Sequence, residues 1–356
     1  MTVTSYSLLS AVMWSSVFIV LLYFMRKNTR LLAFFGATPL LLLGLEISLR
    51  CYFPLMFPHF TRLVQVKGVF TALCRQLERP LSPLTFTVGE LLCVVWGLGS
   101  LALALKEFLT YLRFARKLRS YEPLPDQQIA LLAAEASRKC KTPTPQLIQT
   151  MRVMSPMIVG FLRPTILLPN FSYTDQEYRY IFQHEMTHWK NKDLWVKLGV
   201  EIYCICFWWN PLVYFMKKDL CRTLELKCDA EVLKDRSPEE AKAYQAVLVK
   251  TLVFSCGAAG IGCPLPSVGL ISPQKQDLLQ RVDLILRKRS RGILQKAALW
   301  SASFLMILLL ALSYSIVLQP YNHPSLENFR VLYSDTAMEE DFPLFEKTYG
   351  IEFIEK

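Results

Sequence analysis

Apolar runs alternate with short charged stretches along this chain. Four of them, at 6–25, 31–49, 86–105 and 297–318, have the length that lets a helix cross a bilayer. Between residues 106 and 292 the pattern shortens. Asp126 is placed to cap a helix running to about Lys139, and 144–151 reads as a short strand. Residues 153–169 alternate β-branched and aliphatic positions with Pro156, Gly160, Pro164 and Pro169. That suits edge strands or a tight hairpin, with an irregular loop over the core as the alternative. Thr174 and Glu177 make an S/T-x-x-E capping box, which predicts a helix from Asp175 to about Asn191. Asn210 followed by Pro211 opens another, to about Leu233. The apolar stretch 194–216 between these two helices carries Lys197, Glu201 and the Asn210-Pro211 break. It is expected to lie in or against the membrane, packed on protein, because a full crossing would separate the two helices that flank it.

Composition agrees with a membrane protein: 53% of residues are hydrophobic and the mean hydropathy is +0.28. The net charge of +11 is gathered beside the apolar runs, in Arg26, Lys27 and Arg30, in Lys106, Arg113, Arg116, Lys117 and Arg119, and in Arg287, Lys288, Arg289, Arg291 and Lys296. Basic loops stay on the cytoplasmic side, so both termini are expected outside a cell membrane that the chain crosses several times. The charge then needs no nucleic-acid partner. The resulting plan is a mainly α integral membrane protein: 1–105 with three transmembrane helices and an external loop 50–85, a cytoplasmic domain 106–292, a fourth transmembrane helix within 293–318, and a short external acidic tail 319–356. Glu46, one turn before Arg50, and Glu90 sit inside apolar runs and read as structural. No C-x-x-C occurs among the ten cysteines; Cys51 and Cys74 share the external loop and are available to pair there.

Chemistry concentrates at His184-Glu185-Met-Thr-His188. On a helix the two histidines lie one turn apart on one face, within reach of a single metal ion, while Glu185 is offset enough to act on water without being a ligand. Two histidines on a helix are often ordinary core or surface residues, but the chain has only four and two of them fall here. A catalytic zinc keeps three protein ligands. Glu225, on the helix opened by Asn210-Pro211, supplies the third, and Asp229 one turn further is placed to accept a ring N–H and fix its tautomer. A solvated acidic face is the alternative for Glu225 alone. Cys221 and Cys228, near Glu225, read as small buried hydrophobes.

These motifs occur in a distinctive order: His184-Glu-Met-Thr-His-Trp-Lys-Asn-Lys-Asp193, Trp209-Asn-Pro-Leu212, then Glu225-Leu-Lys-Cys-Asp229. Upstream stands Ser155-Pro-Met-Ile-Val-Gly-Phe-Leu-Arg-Pro-Thr-Ile-Leu-Leu-Pro169, and downstream Leu278-Leu-Gln-Arg-Val-Asp-Leu-Ile-Leu286. Together they resemble the membrane metallopeptidases of the BlaR/MecR antirepressor type. The resemblance implies a zincin-like (gluzincin) α+β peptidase domain with a small sheet, one Zn²⁺ per chain, and a zinc endopeptidase that cleaves a polypeptide. The substrate implied is a cytoplasmic winged-helix repressor of the BlaI/MecI type, or the chain itself. By analogy with zincins, Ile158, Val159 and Gly160 would bind substrate as an added strand. The chain departs from the best-known pattern after the last apolar run, where the tail is too short for a penicillin-binding sensor. Ser272-Pro-Gln-Lys275 matches S-x-x-K but has no partner motifs, so no beta-lactam ligand is expected. A membrane quality-control protease, or a non-catalytic scaffold, would fit the same apolar pattern.

Overall fold

The computed structural model describes residues 5–55, 62–81, 86–234, 236–257, 275–286 and 293–320. The acidic tail beyond 320, the S-x-x-K serine and the arginines at 287–291 lie outside them. The elements in order are α1 (Ser5–Lys27), α2 (Thr29–Phe35), α3 (Thr38–Tyr52), β1 (Arg62–Val66), α4 (Val69–Leu77), α5 (Val88–Arg119), α6 (Gln127–Cys140), β2 (Gln146–Gln149), β3 (Met157–Val159), β4 (Thr165–Leu168), α7 (Asp175–Lys190), α8 (Asp193–Cys206), α9 (Pro211–Val232), α10 (Pro238–Gly257), α11 (Lys275–Leu286), α12 (Ile293–Ser315) and β5 (Ile316–Pro320).

Two compact units share the chain. The described residues of the smaller are 5–10, 54–55, 62–81, 86–91 and 313–320. In it β1 and β5 pair in parallel, Arg62 opposite Ile316 through Val66 opposite Pro320, and Cys74 of α4 packs on Val317. The predicted fourth span therefore stops as a helix at Ser315, and its last residues form a strand. The β-branched pair Ile316-Val317 suits that change.

The larger unit, 11–53 and 92–312, has two main hydrophobic clusters. One gathers α1, α2, α3, α8, α12 and the first part of α9 around Leu22, Leu43, Ile47, Val213 and Met216. The predicted second span is not one helix here. Asn28 caps α2, accepting from the amides of Arg30 and Leu31, and the chain breaks at Gly36, whose φ of 75° favours glycine, before Pro39 starts α3. Glu46 and Arg50 are both buried on α3. Cys51 and Cys74 are free thiols, and Cys51 instead donates to Ser15 and accepts from Tyr203. Among the described residues two helices are long and apolar enough to cross a membrane, Ser7–Lys27 and Val88–Arg119, with a shorter apolar stretch at Leu299–Ser315. Helix α5 buries none of its residues, so its leucines and valines form a lipid-type surface.

The other cluster gathers α6, α7, α10 and the second part of α9 on a three-stranded sheet of order β2-β4-β3. Strand β2 runs parallel to β4 and β3 antiparallel, with Ile158 opposite Ile166. Residues 153–169 thus adopt the hairpin, not the irregular loop. Gly160 turns it with φ 93°, where a Cβ would come within 2.1 Å of the Arg163 carbonyl oxygen. The capping box on α7 is made in full: Thr174 N–H donates to Glu177 at 2.7 Å and Glu177 N–H to the Thr174 hydroxyl at 3.4 Å. Phe182 and Met186 on its inner face are fully buried. Truncating Phe182 to alanine would cost about 3–5 kcal/mol.

Candidate active site

Two histidines on α7's buried face and a glutamate from α9 set the geometry. His184 and His188 point their Nε2 atoms toward one another, 3.1 Å apart. The Glu225 carboxylate faces both, Oε2 3.4 Å from His184 Nε2 and Oε1 3.4 Å from His188 Nε2. Glu225 arrives there because α8 and α9 form a hairpin: α8 leaves from Asp193, the chain turns at Phe207–Asn210, and α9 returns. Asn210 caps the return, and Lys217 pairs with Glu201 across the hairpin at 2.6 Å. Helix α8, 14 residues, is about 21 Å long, short of a bilayer core.

Each histidine is held from behind. Nδ1 of His188 lies 2.7 Å from Oδ2 of Asp193, the first residue of α8. Nδ1 of His184 lies 2.8 Å from the Tyr244 hydroxyl on α10, which donates to Asp229 at 2.6 Å. Asp229 itself stands 3.6 Å from that nitrogen, so it reaches His184 through the phenol. Arg281 on α11 forks onto Asp229 at 2.6 and 2.7 Å and approaches Glu225 at 3.5 Å. Glu185 accepts the Ile158 backbone N–H at 2.8 Å, which puts the free edge of β3 against it. Of the other two residues expected to bind substrate, Val159 ends β3 opposite Thr165. Gly160 lies past the strand, in the turn, where its carbonyl accepts from Trp189 at 3.1 Å. Sequence reasoning passed over Asp193, Tyr244 and Arg281 as parts of the site. The visible signal for Asp193 was its presence in the ordered motif, and for Arg281 its place as the arginine of the Leu278–Leu286 stretch.

Charge in this pocket is arranged for a cation. Burial alone would push the His184 imidazole down, but the neighbouring Cys228 and Glu225 outweigh it and raise it to about 10. His188 is raised well above 6.5, burial again opposing and Cys228, Glu225 and Asp193 prevailing. Glu225 is held well below 4.5, its burial outweighed by the two imidazoles and Arg281. The raised histidines and the depressed Glu225 share one cause, an excess of negative groups that a bound dication would also offset. The three facing donors are 3.1–3.4 Å apart, close to the roughly 3.3 Å that tetrahedral zinc bonded at about 2.0–2.1 Å imposes on its ligands. His184, His188 and Cys228 also have donor atoms within 4.8 Å of one another. Cys228, however, meets His184 at Nδ1, 3.4 Å away, the nitrogen already bonded to Tyr244. Glu225 instead faces the Nε2 atoms of both histidines, away from the nitrogens held by Tyr244 and Asp193.

A histidine pair and a glutamate on one helix, completed by a glutamate from a second, define the metallopeptidase class. Over residues 77–285 the chain matches the family described as BlaR1 peptidase M56, and it belongs to that family of membrane metalloproteases. It is 31% identical over 100 residues to the regulatory protein BlaR1 of Bacillus licheniformis, covering 28% of this chain and 17% of that one. With the methicillin resistance mecR1 protein of Staphylococcus aureus (strain Mu50 / ATCC 700699) it shares 31% over 103 residues, 28% of this chain and 18% of the relative. The chain thus aligns with less than a fifth of the length of either relative.

Proposed function

We propose that this protein is a membrane-embedded zinc endopeptidase that transduces a signal by cleaving a cytoplasmic repressor of the winged-helix type, itself, or both. The convergence of Glu225 on the two facing histidine nitrogens carries the reading. His184, His188 and Glu225 hold one zinc ion, which when bound supplies a Lewis acid for the scissile carbonyl. Glu185 has one carboxylate oxygen anchored by Ile158 N–H; the other accepts the proton of the attacking water and passes it to the leaving amine. Asp193 and the Tyr244–Asp229 pair keep each ring N–H pointing away from the ligand side. The substrate backbone lies along the free edge of β3, where Ile158 and Val159 are presented. Four membrane helices, with the 106–292 domain on the cytoplasmic side and both termini outside, complete the proposed arrangement. The regulatory names of the relatives support the signalling role.

The test uses the full chain in detergent or nanodiscs. Glu185→Gln is expected to keep one zinc per chain and lose cleavage by about 10²–10⁴-fold. His184→Ala, His188→Ala and Glu225→Ala should lose both metal and cleavage. Full zinc content in Glu225→Ala would remove the third ligand and point to Cys228. Cleavage of any unfolded chain without preference would favour a quality-control protease.

A further inference from the structure

The contacts around α11 reach beyond the metal pocket. Arg281, on its inward side, donates through Nε and Nη2 to both oxygens of Asp229 and lies 3.5 Å from Glu225 through Nη1. One planar guanidinium therefore touches the proposed third ligand and the carboxylate behind Tyr244, and a lysine has no fork with which to do the same. The neighbouring residue, Gln280, faces the end of α1. Its amide nitrogen donates to the Arg26 carbonyl at 3.0 Å, and its amide oxygen accepts from Arg26 Nη1 at 3.2 Å. Arg26 in turn forms a buried ion pair with Asp219, on the same helix as Glu225 and Asp229.

We propose that Arg281 is a positioning residue for the acidic wall of the site, and that through Gln280 its placement follows the end of the first membrane helix. This rests on the zinc reading above. Two consecutive residues of α11 bond in different directions, one to Glu225 and Asp229, the other to α1. A rotation or shift of α1 moves Gln280 directly and Arg281 with it, because helix backbone between adjacent residues is stiff. The Arg26–Asp219 pair gives the same membrane helix a second hold, on α9. A displacement of α1 then alters the aim of Glu225 without any residue of α1 touching the metal site. The device is local and physical: a fork at one end, a reciprocal amide pair at the other, and one peptide unit between them.

The experiment compares zinc retention against a chelator, together with kcat and KM on a peptide substrate, in the full-length wild type, Arg281→Lys, Arg281→Gln, Arg26→Gln and the double variant Arg26→Gln/Arg281→Lys. Arg281→Lys, which keeps charge and loses the fork, should weaken zinc retention by about 10–100-fold and lower kcat at saturating zinc with KM little changed. Arg26→Gln should move the same quantities in the same direction by a smaller factor. In the double variant the effects should fall short of the product of the two single effects, since both act through one path. Wild-type zinc retention and kcat in Arg281→Lys overturn the positioning role. Single effects that multiply independently overturn the link to α1. A zinc-free wild type overturns the underlying reading as well, whereas a zinc-loaded wild type whose metal is indifferent to Arg281 overturns only this proposal. Should Arg281→Gln fail to fold, Arg281→Lys and Arg26→Gln still decide.

Discussion

His188 and His184, the two histidines proposed as zinc ligands, are secured by opposite means. His188 leans on a carboxylate supplied five residues later in the chain, through a single short contact from Asp193 at the start of α8. His184 leans on a relay assembled from three separate helices: Tyr244 of α10, then Asp229 of α9, then Arg281 of α11. The first support is local and forms when α7 turns into α8. The second exists only once the core has closed, and it is as well placed as all three of its helices. A charged acceptor holds a ring N–H about twice as strongly as a neutral one. His188 is therefore the fixed point of the site and His184 the adjustable one.

Deleting the local support should have the largest effect on this contrast. Asp193→Ala leaves a buried ring N–H without its acceptor, and zinc affinity, measured by chelator competition, is expected to fall by about 10–100-fold. Tyr244→Phe comes next, with a loss of about tenfold or less, because Cys228 at 3.4 Å remains beside the released nitrogen. If Tyr244→Phe proves the more damaging of the two, the ranking of fixed and adjustable histidine is reversed.

Titration sharpens the comparison without mutation. In metal-free protein, His184 is raised from 6.5 to about 10, so its contribution to stability is full below pH 6.5 and is lost as pH climbs through about 10. Glu225 is depressed below 4.5, so its contribution is present above pH 4.5 and is lost as pH falls through its lower folded value. The melting temperature of the metal-free protein should thus plateau between about pH 4.5 and 6.5 and decline on the alkaline side. Saturating zinc should remove that alkaline decline, since binding has already released the imidazole protons. An alkaline limb equally steep with and without zinc would contradict the charge arrangement. The smallest effect serves as a control. Thr174→Ala opens the capping box and should cost about 1 kcal/mol of stability, read by thermal or denaturant melting, while leaving the zinc-affinity ranking of Asp193 and Tyr244 variants unchanged.

The same division between local and assembled structure separates what was legible in the sequence from what was not. The start of α7 could be placed to the residue because the Thr174–Glu177 box is written within four letters, and that of α9 because Asn210-Pro211 is a cap and an N1 proline in sequence. The hairpin of β3 and β4 followed from Gly160 and its flanking prolines, although Gly160 serves the turn and not the strand. Asp193 escaped notice as a support because α8 starts after Lys192, a non-glycine residue at φ 58° that no propensity favours. Tyr244 escaped because nothing local distinguishes a tyrosine that will meet a histidine across the core, and Arg281 because its motif does not say which carboxylates it will meet. The broken second span had its signal, Gly36 followed closely by Pro39, but continuous hydropathy outweighed it. Likewise, the change from α12 to β5 was hidden inside an unbroken apolar run.

The α8–α9 hairpin has a consequence of a different kind. It leaves from beside His188 and returns at Glu225, so an ion gripping both residues acts as a cross-link that shuts the hairpin into a covalent-like ring. Because such an ion would bind the folded chain and not the unfolded one, it would stabilise the fold by mass action, more as its free concentration rises above the dissociation constant. Chelation would release the hairpin at its base, and α8 and α9 should be the first elements of the molecule to loosen.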